Sequence, residues 1–279
     1  MKRLILLLAV FSWIFAVRAQ KMSCCSPSAT EAFAQLTMDK KFVMSHLEPR
    51  PFSYQSENGK PIIFKAADGS DAHGWEIKSK TASNNYLLVF HEWWGLNDYI
   101  KQESETIWKD LGNVNVIDVD LYDGKTATTR EDAVKYVQAV TMERAGAIIR
   151  GAIAYTGNKA KIFTLGWCFG GGWSLQAALM AGAQAAGCIM YYGMPEKSVD
   201  KLETLHCDVL GIFANKDQNI TPAVVDDFAA NMKKAGKNLI LYRYDAVHAF
   251  ANPSNPGYDK TAREEAFKHS IAFLKERAK

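Results

Sequence analysis

The chain has 279 residues, 48% hydrophobic and 23% charged, enough for one large domain with a sizeable buried core. That composition excludes a disordered or low-complexity chain, and no repeat at solenoid or propeller period is present. The formal net charge of +3 traces to the amino-terminal leader described next, so there is no electrostatic case for nucleic-acid binding.

Lys2 and Arg3 precede an almost unbroken apolar run, Leu4 to Val17, and Val17-Arg18-Ala19 ends it on small residues. This pattern predicts a secretory signal peptide over residues 1–19, cleaved after Ala19, and hence a periplasmic or secreted protein. The run is too short for a comfortable membrane span, so no membrane attachment is expected after cleavage. Cleavage removes Lys2, Arg3 and Arg18 and no acid, so the 33 basic residues fall to 30, equal to the 30 acidic ones. Five cysteines remain, an odd number that leaves at least one free. Cys24 and Cys25 lie in a polar tail. Cys188 and Cys207 each open a strand-like run and read as buried free thiols. No spacing resembles a zinc site.

Residues 20–58 read as a loose lead-in, and 59–279 as the folded domain. Ile62 to Lys65 and His73 to Lys78 are two predicted strands joined by a turn. Tyr86 to Phe90 has the short apolar run of a buried parallel strand. Asp98 to Leu111 is predicted helical, Val114 to Val119 a strand, and Glu131 to Tyr155 one long amphipathic helix. Next come a strand at Lys161 to Leu165, a helix at Gly171 to Ala183, and strands at Ile189 to Tyr192 and Val209 to Ala214. A helix at Pro222 to Ala235, capped by Thr221, a strand at Leu239 to Tyr244 and a helix at Thr261 to Lys275 complete the chain. This alternation predicts an α/β fold with a mostly parallel sheet flanked by helices. Chemistry in such sheets sits at the carboxyl ends of the strands.

Gly166-Trp167-Cys168-Phe169-Gly170 lies between a strand and a helix. It is a G-x-S-x-G nucleophile elbow with Cys for Ser. The glycines allow a sharp turn, and the following helix N-terminus favours a thiolate on Cys168. An acid and a base should follow in that order. Asp217 lies just past the strand ending at Ala214, and His248 just past the one ending at Tyr244. The other histidines fit less well. His46 lies in the lead-in, His73 in an early strand, His206 before a strand, His269 in the last helix, and His91 at a strand end but ahead of the nucleophile.

The segment His91-Glu92-Trp93-Trp94-Gly95-Leu96-Asn97 ends the strand Tyr86–Phe90. That loop and the residue after the nucleophile supply the oxyanion-hole N–H groups in such folds, here Trp93 and Phe169. Glu92 is placed to accept the thiol proton. Trp94 and Trp167 offer aromatic surface for substrate beside the nucleophile.

From Pro61 to the C-terminus the sequence resembles the dienelactone hydrolase family of the α/β-hydrolase superfamily. The resemblance rests on His91 through Asn97, Asp120-Leu121-Tyr122, Gly166 through Gly171, Asp217 and Tyr244 through Ala251. It implies a Cys168-His248-Asp217 triad acting through an acyl-enzyme, with Glu92 helping to generate the thiolate when substrate binds. It also implies a small-molecule ester or lactone substrate and no metal or organic cofactor. Two positions depart from the pattern. Ala249 stands where the family has Ser, and Asn252 where an Arg is expected. Arg130 matches the remaining substrate-binding arginine, so a neutral substrate is expected over a carboxylate-bearing one. Rival readings are a hydrolase of another acyl bond, such as a carbohydrate ester or thioester, and an idle scaffold used for binding. A monomer is expected.

Overall fold

A computed structural model describes residues 28–279; the leader, Cys24 and Cys25 lie outside the described residues. Eight strands form one sheet: β1 (Gly59–Lys65), β2 (Asp71–Ile77), β3 (Asn85–Phe90), β4 (Asn115–Val119), β5 (Lys161–Trp167), β6 (Ala185–Tyr191), β7 (Val209–Ala214) and β8 (Leu239–Tyr244). Their order is β1-β2-β4-β3-β5-β6-β7-β8. The first two form a hairpin, β2 pairs antiparallel with β4, and every later pairing is parallel. Leu87, Leu88, Val89 and Phe90 of β3 are wholly buried, as a strand covered on both faces requires. The edge strand β8 is only half-buried along most of its length.

The helices are α1 (Ala29–Leu36), α2 (Lys40–Ser45), α3 (Asp98–Leu111), α4 (Arg130–Ala139), α5 (Met142–Thr156), α6 (Phe169–Ala181), α7 (Val199–Glu203), α8 (Pro222–Lys234) and α9 (Lys260–Arg277). Asn97 caps α3 by accepting from the Ile100 N–H, and Thr221 caps α8 with Pro222 in its first turn. The fold is therefore the mostly parallel α/β sandwich that the alternation predicts.

Two expectations are corrected. The single helix over 131–155 is two helices, α4 and α5. Val140 and Thr141 are both extended, and the Thr141 hydroxyl accepts from the Arg144 N–H, so a fresh N-cap starts a second helix. The lead-in is also not loose between residues 28 and 46. Ser28 and Glu31 form a capping box that starts α1. Phe33 and Phe42, at 2% and 1% exposure, anchor α1 and α2 in the core. Phe33 packs on Phe169, and Phe42 on Trp93. Burial of each such aromatic contributes roughly 2–3 kcal/mol.

Candidate active site

The turn from β5 into α6 places Cys168 at φ 54°, ψ −116°, a left-handed conformation that non-glycine residues rarely adopt. A side chain at Gly166 would come within 2.1 Å of the Gly170 carbonyl oxygen, and one at Gly170 within 2.2 Å of the Phe90 carbonyl oxygen. Both positions must be glycine for the elbow to nest against the end of β3.

The loops after β7 and β8 deliver the other two groups. Asp217 Oδ1 accepts from the Asn219 and Ile220 N–H groups at 2.8 and 3.0 Å, which fixes the carboxylate. Its Oδ2 lies 2.5 Å from His248 Nδ1, and His248 Nε2 lies 3.1 Å from Cys168 Sγ. Acid, base and thiol thus stand in one hydrogen-bonded line. The chain leaves His248 through Ala249 at φ 58°, a strained position beside the base.

Burial opposes a charge on His248, but the Asp217 carboxylate and the Cys168 sulfur override it and hold the imidazole well above its ordinary value. Burial likewise opposes the Asp217 carboxylate, but His248 and the two backbone donors hold it below its ordinary value. For Cys168 burial dominates. Only 1% of the residue is exposed, and the thiol is pushed up although His248 and the Phe169 N–H pull it down. The helix N-terminus expected to favour a thiolate therefore does not lower the thiol here. The helix N-terminus is present, but the dry surroundings outweigh it.

Glu92 follows β3 in the same crevice as Cys168. Asn252 donates to its Oε2, while Oε1 is buried without a partner. The Tyr192 hydroxyl, also buried and unpaired, belongs to the same surroundings. Burial raises the Glu92 carboxyl to about 7, against the pull of His248 and Asn252. A carboxylate at that value can take or hold a proton near neutral pH.

Of the two amides expected to form an oxyanion hole, Phe169 adjoins the thiol and Trp93 lines the same crevice. The Phe169 N–H faces Cys168. The Trp93 N–H donates no hydrogen bond among the described residues, while its carbonyl accepts from the Tyr122 hydroxyl at 3.0 Å. Beside the crevice lies an open cavity lined by Trp94, Trp167, Tyr191, Tyr192 and Phe267. Glu92, Trp94, Asn252 and Ser254 line both spaces and form the wall between them.

Arg130 does not reach this site. It opens α4, its Nε donates to the His46 carbonyl at 2.7 Å and its backbone N–H to Glu48 Oε1 at 3.3 Å. It clips the amino-terminal segment down and lines neither space, which corrects its expected role as a substrate contact. The arginine that does line the cavity is Arg263 on α9, bound to both oxygens of Glu103 at 2.8 and 2.6 Å. Nothing in the sequence singles it out. His46, set aside as a lead-in histidine, lies against the base, with ring centroids 5.4 Å apart. The Ser28…Glu31 capping box is the sequence signal that could have marked its segment as folded. Cys188 is buried and free as expected, whereas Cys207 is free but only half-buried.

A sharp strand–turn–helix elbow on a mostly parallel sheet, with Asp217 and His248 beyond later strand ends, is the arrangement of the α/β-hydrolase fold. A profile described as "Dienelactone hydrolase family" matches residues 73–278, and the chain belongs to that family. It is thereby a carboxylic ester or lactone hydrolase of the dienelactone hydrolase type. The protein usf of Aquifex pyrophilus is 28% identical over 203 residues, 68% of this chain and 87% of that one. A carboxymethylenebutenolidase of a Pseudomonas species is 24% identical over 159 residues, 55% of this chain and 66% of that one. Among solved structures, a dienelactone hydrolase-like promiscuous phosphotriesterase from metagenomic libraries superposes with a TM-score of 0.68 at 20% identity, covering 79% of this chain and 99% of that one. An esterase of Pyrococcus furiosus superposes with a TM-score of 0.62 at 15% identity, covering 84% and 100%. These two likenesses speak to the fold alone.

Proposed function

We propose that the protein hydrolyses a neutral carboxylic ester or lactone through a covalent acyl-enzyme on Cys168. The observation that carries this reading is the line from Asp217 through His248 to the Cys168 sulfur on a strained elbow. With the thiol held protonated at rest, substrate binding beside Glu92 supplies the moment of activation. Glu92 takes the thiol proton while His248, held as imidazolium, keeps its own, and Sγ attacks the substrate carbonyl carbon. The developing oxyanion is met by the Phe169 and Trp93 N–H groups. The tetrahedral intermediate collapses, the carbon–oxygen bond breaks, and imidazolium His248 gives its proton to the leaving alkoxide. His248 then deprotonates a water that attacks the thioester; the acid leaves, His248 is again imidazolium, and Glu92 returns its proton to the sulfur.

The aromatic cavity is the space for the substrate body. Its one lining arginine, Arg263, is already neutralised by Glu103, which favours an uncharged substrate. Hydrolysis of p-nitrophenyl acetate by the purified protein tests the reading. Cys168→Ala and His248→Ala should each lose on the order of 10⁴-fold or more in kcat, and the double variant little further. Losses that multiply would show that the two do not act together. We also propose export, on the strength of Leu4 to Val17. Mass spectrometry of the extracytoplasmic protein should find an N-terminus near Gln20; full-length chain confined to the cytosol would contradict it.

A further inference from the structure

His46 comes from a segment outside the span that the family profile matches, yet it is buried at 4% exposure against the catalytic line. Its Nδ1 lies 2.8 Å from the Phe42 carbonyl oxygen, which fixes Nδ1 as the protonated nitrogen. Nε2 therefore carries a lone pair, and it is buried with no partner. A ring nitrogen of His46, the Cys168 sulfur and a ring nitrogen of His248 all lie within 4.8 Å of one another; with both Nδ1 atoms engaged, the Nε2 atoms are the free ligands. A buried, unpartnered imidazole nitrogen carries an unmet desolvation penalty that a ligand in this position would relieve.

We propose that His46, Cys168 and His248 form a binding site for a thiophilic divalent cation of the zinc type, which caps the nucleophile reversibly. One sulfur and two imidazole nitrogens select zinc over magnesium or calcium, which take oxygen ligands. Both histidines already have the outer partner that metal-bound imidazoles use: a backbone carbonyl on His46 and the Asp217 carboxylate on His248. Ligand atoms around tetrahedral zinc stand roughly 3.5 Å apart, so a small rotation of the rings closes the site. Binding releases the protons held by the Cys168 sulfur and His248 Nε2. The metal then takes the thiolate and both nitrogen lone pairs, with water in the fourth position. The three ligands come from positions 46, 168 and 248, so no sequence spacing reveals the site.

The capping consequence rests on Cys168 being the nucleophile; the binding does not. Anaerobic titration of the metal-free protein with Co²⁺ should give one equivalent of thiolate-to-metal charge transfer and the intense visible bands of a four-coordinate site, both displaced by Zn²⁺. Cys168→Ser should abolish the charge-transfer band. His46→Gln should weaken Zn²⁺ binding and Zn²⁺ inhibition together by about 100-fold or more, since outer partners alone account for 10–100-fold, and should retain hydrolysis in metal-free buffer. His46→Cys, which returns a ligand, should restore binding. No charge-transfer band, or equal zinc affinity in wild type and His46→Gln, would overturn the site. A full cobalt signal with undiminished hydrolysis would uphold the metal site and overturn Cys168 as the nucleophile.

Discussion

Asn252 donates a hydrogen bond to Glu92, and it does so as a neutral amide. Its own orientation is fixed because its side-chain oxygen accepts from the Ser254 N–H and hydroxyl, each at 2.8 Å. A cation in this position would hold Glu92 ionised; the amide leaves burial to set its value, about 7.

Glu92 must be ionised to take the thiol proton, so kcat/KM should fall as pH drops through about 7. Glu92→Gln should lower the plateau and remove that limb. Asn252→Arg should move the limb to lower pH by about 1–3 units, as an opposite charge does for a carboxylate. pH–rate profiles of the three proteins check this; a limb near 7 that persists in Glu92→Gln would assign it to another group.

Asp118, wholly buried on β4, accepts from the Ser104 hydroxyl at 2.5 Å, while its Oδ2 has no partner. Burial raises it to about 8. The native state therefore keeps a proton that the unfolded chain loses above about 4, so this group's contribution to stability falls as pH rises from about 4 to 8. Asp118→Asn, shaped like the protonated acid, should melt near the wild type at pH 5 and several degrees above it at pH 8. Parallel melting curves across that range would show that Asp118 titrates normally.

Much of this could be read along the chain because it is local. Asp98–Leu111 and Val209–Ala214 appear with the predicted bounds, since an N-cap and a turn signal mark their ends. The elbow is legible because its glycines answer a steric demand within five residues. Contacts across the fold are not. His46 meets His248 only after α1 and α2 dock, and Arg263 meets the cavity only when α9 packs on α3. Sequence shows the helix N-terminus behind Cys168 but not the burial that overrides it. The five-residue α7 is too short to display a helical period.

Substrate charge should follow Arg263 and not Arg130. The wild type should prefer a neutral ester to a matched anionic one. Glu103→Gln, which frees Arg263, should raise the relative kcat/KM of the anionic ester about ten-fold or more, the worth of one charge-assisted contact. Arg130→Ala should leave the ratio unchanged. An anionic preference that disappears in Arg130→Ala would return that residue to the substrate site.

The central claim is that the Cys168 sulfur carries the acyl group. Acid quench of the wild type during turnover of a p-nitrophenyl ester, followed by intact-mass measurement and peptide mapping, reads this directly. The account predicts one acyl increment on the peptide holding Cys168 and none in Cys168→Ala, which should also lose hydrolysis. An acyl group mapped elsewhere, or full turnover in Cys168→Ala, would contradict it.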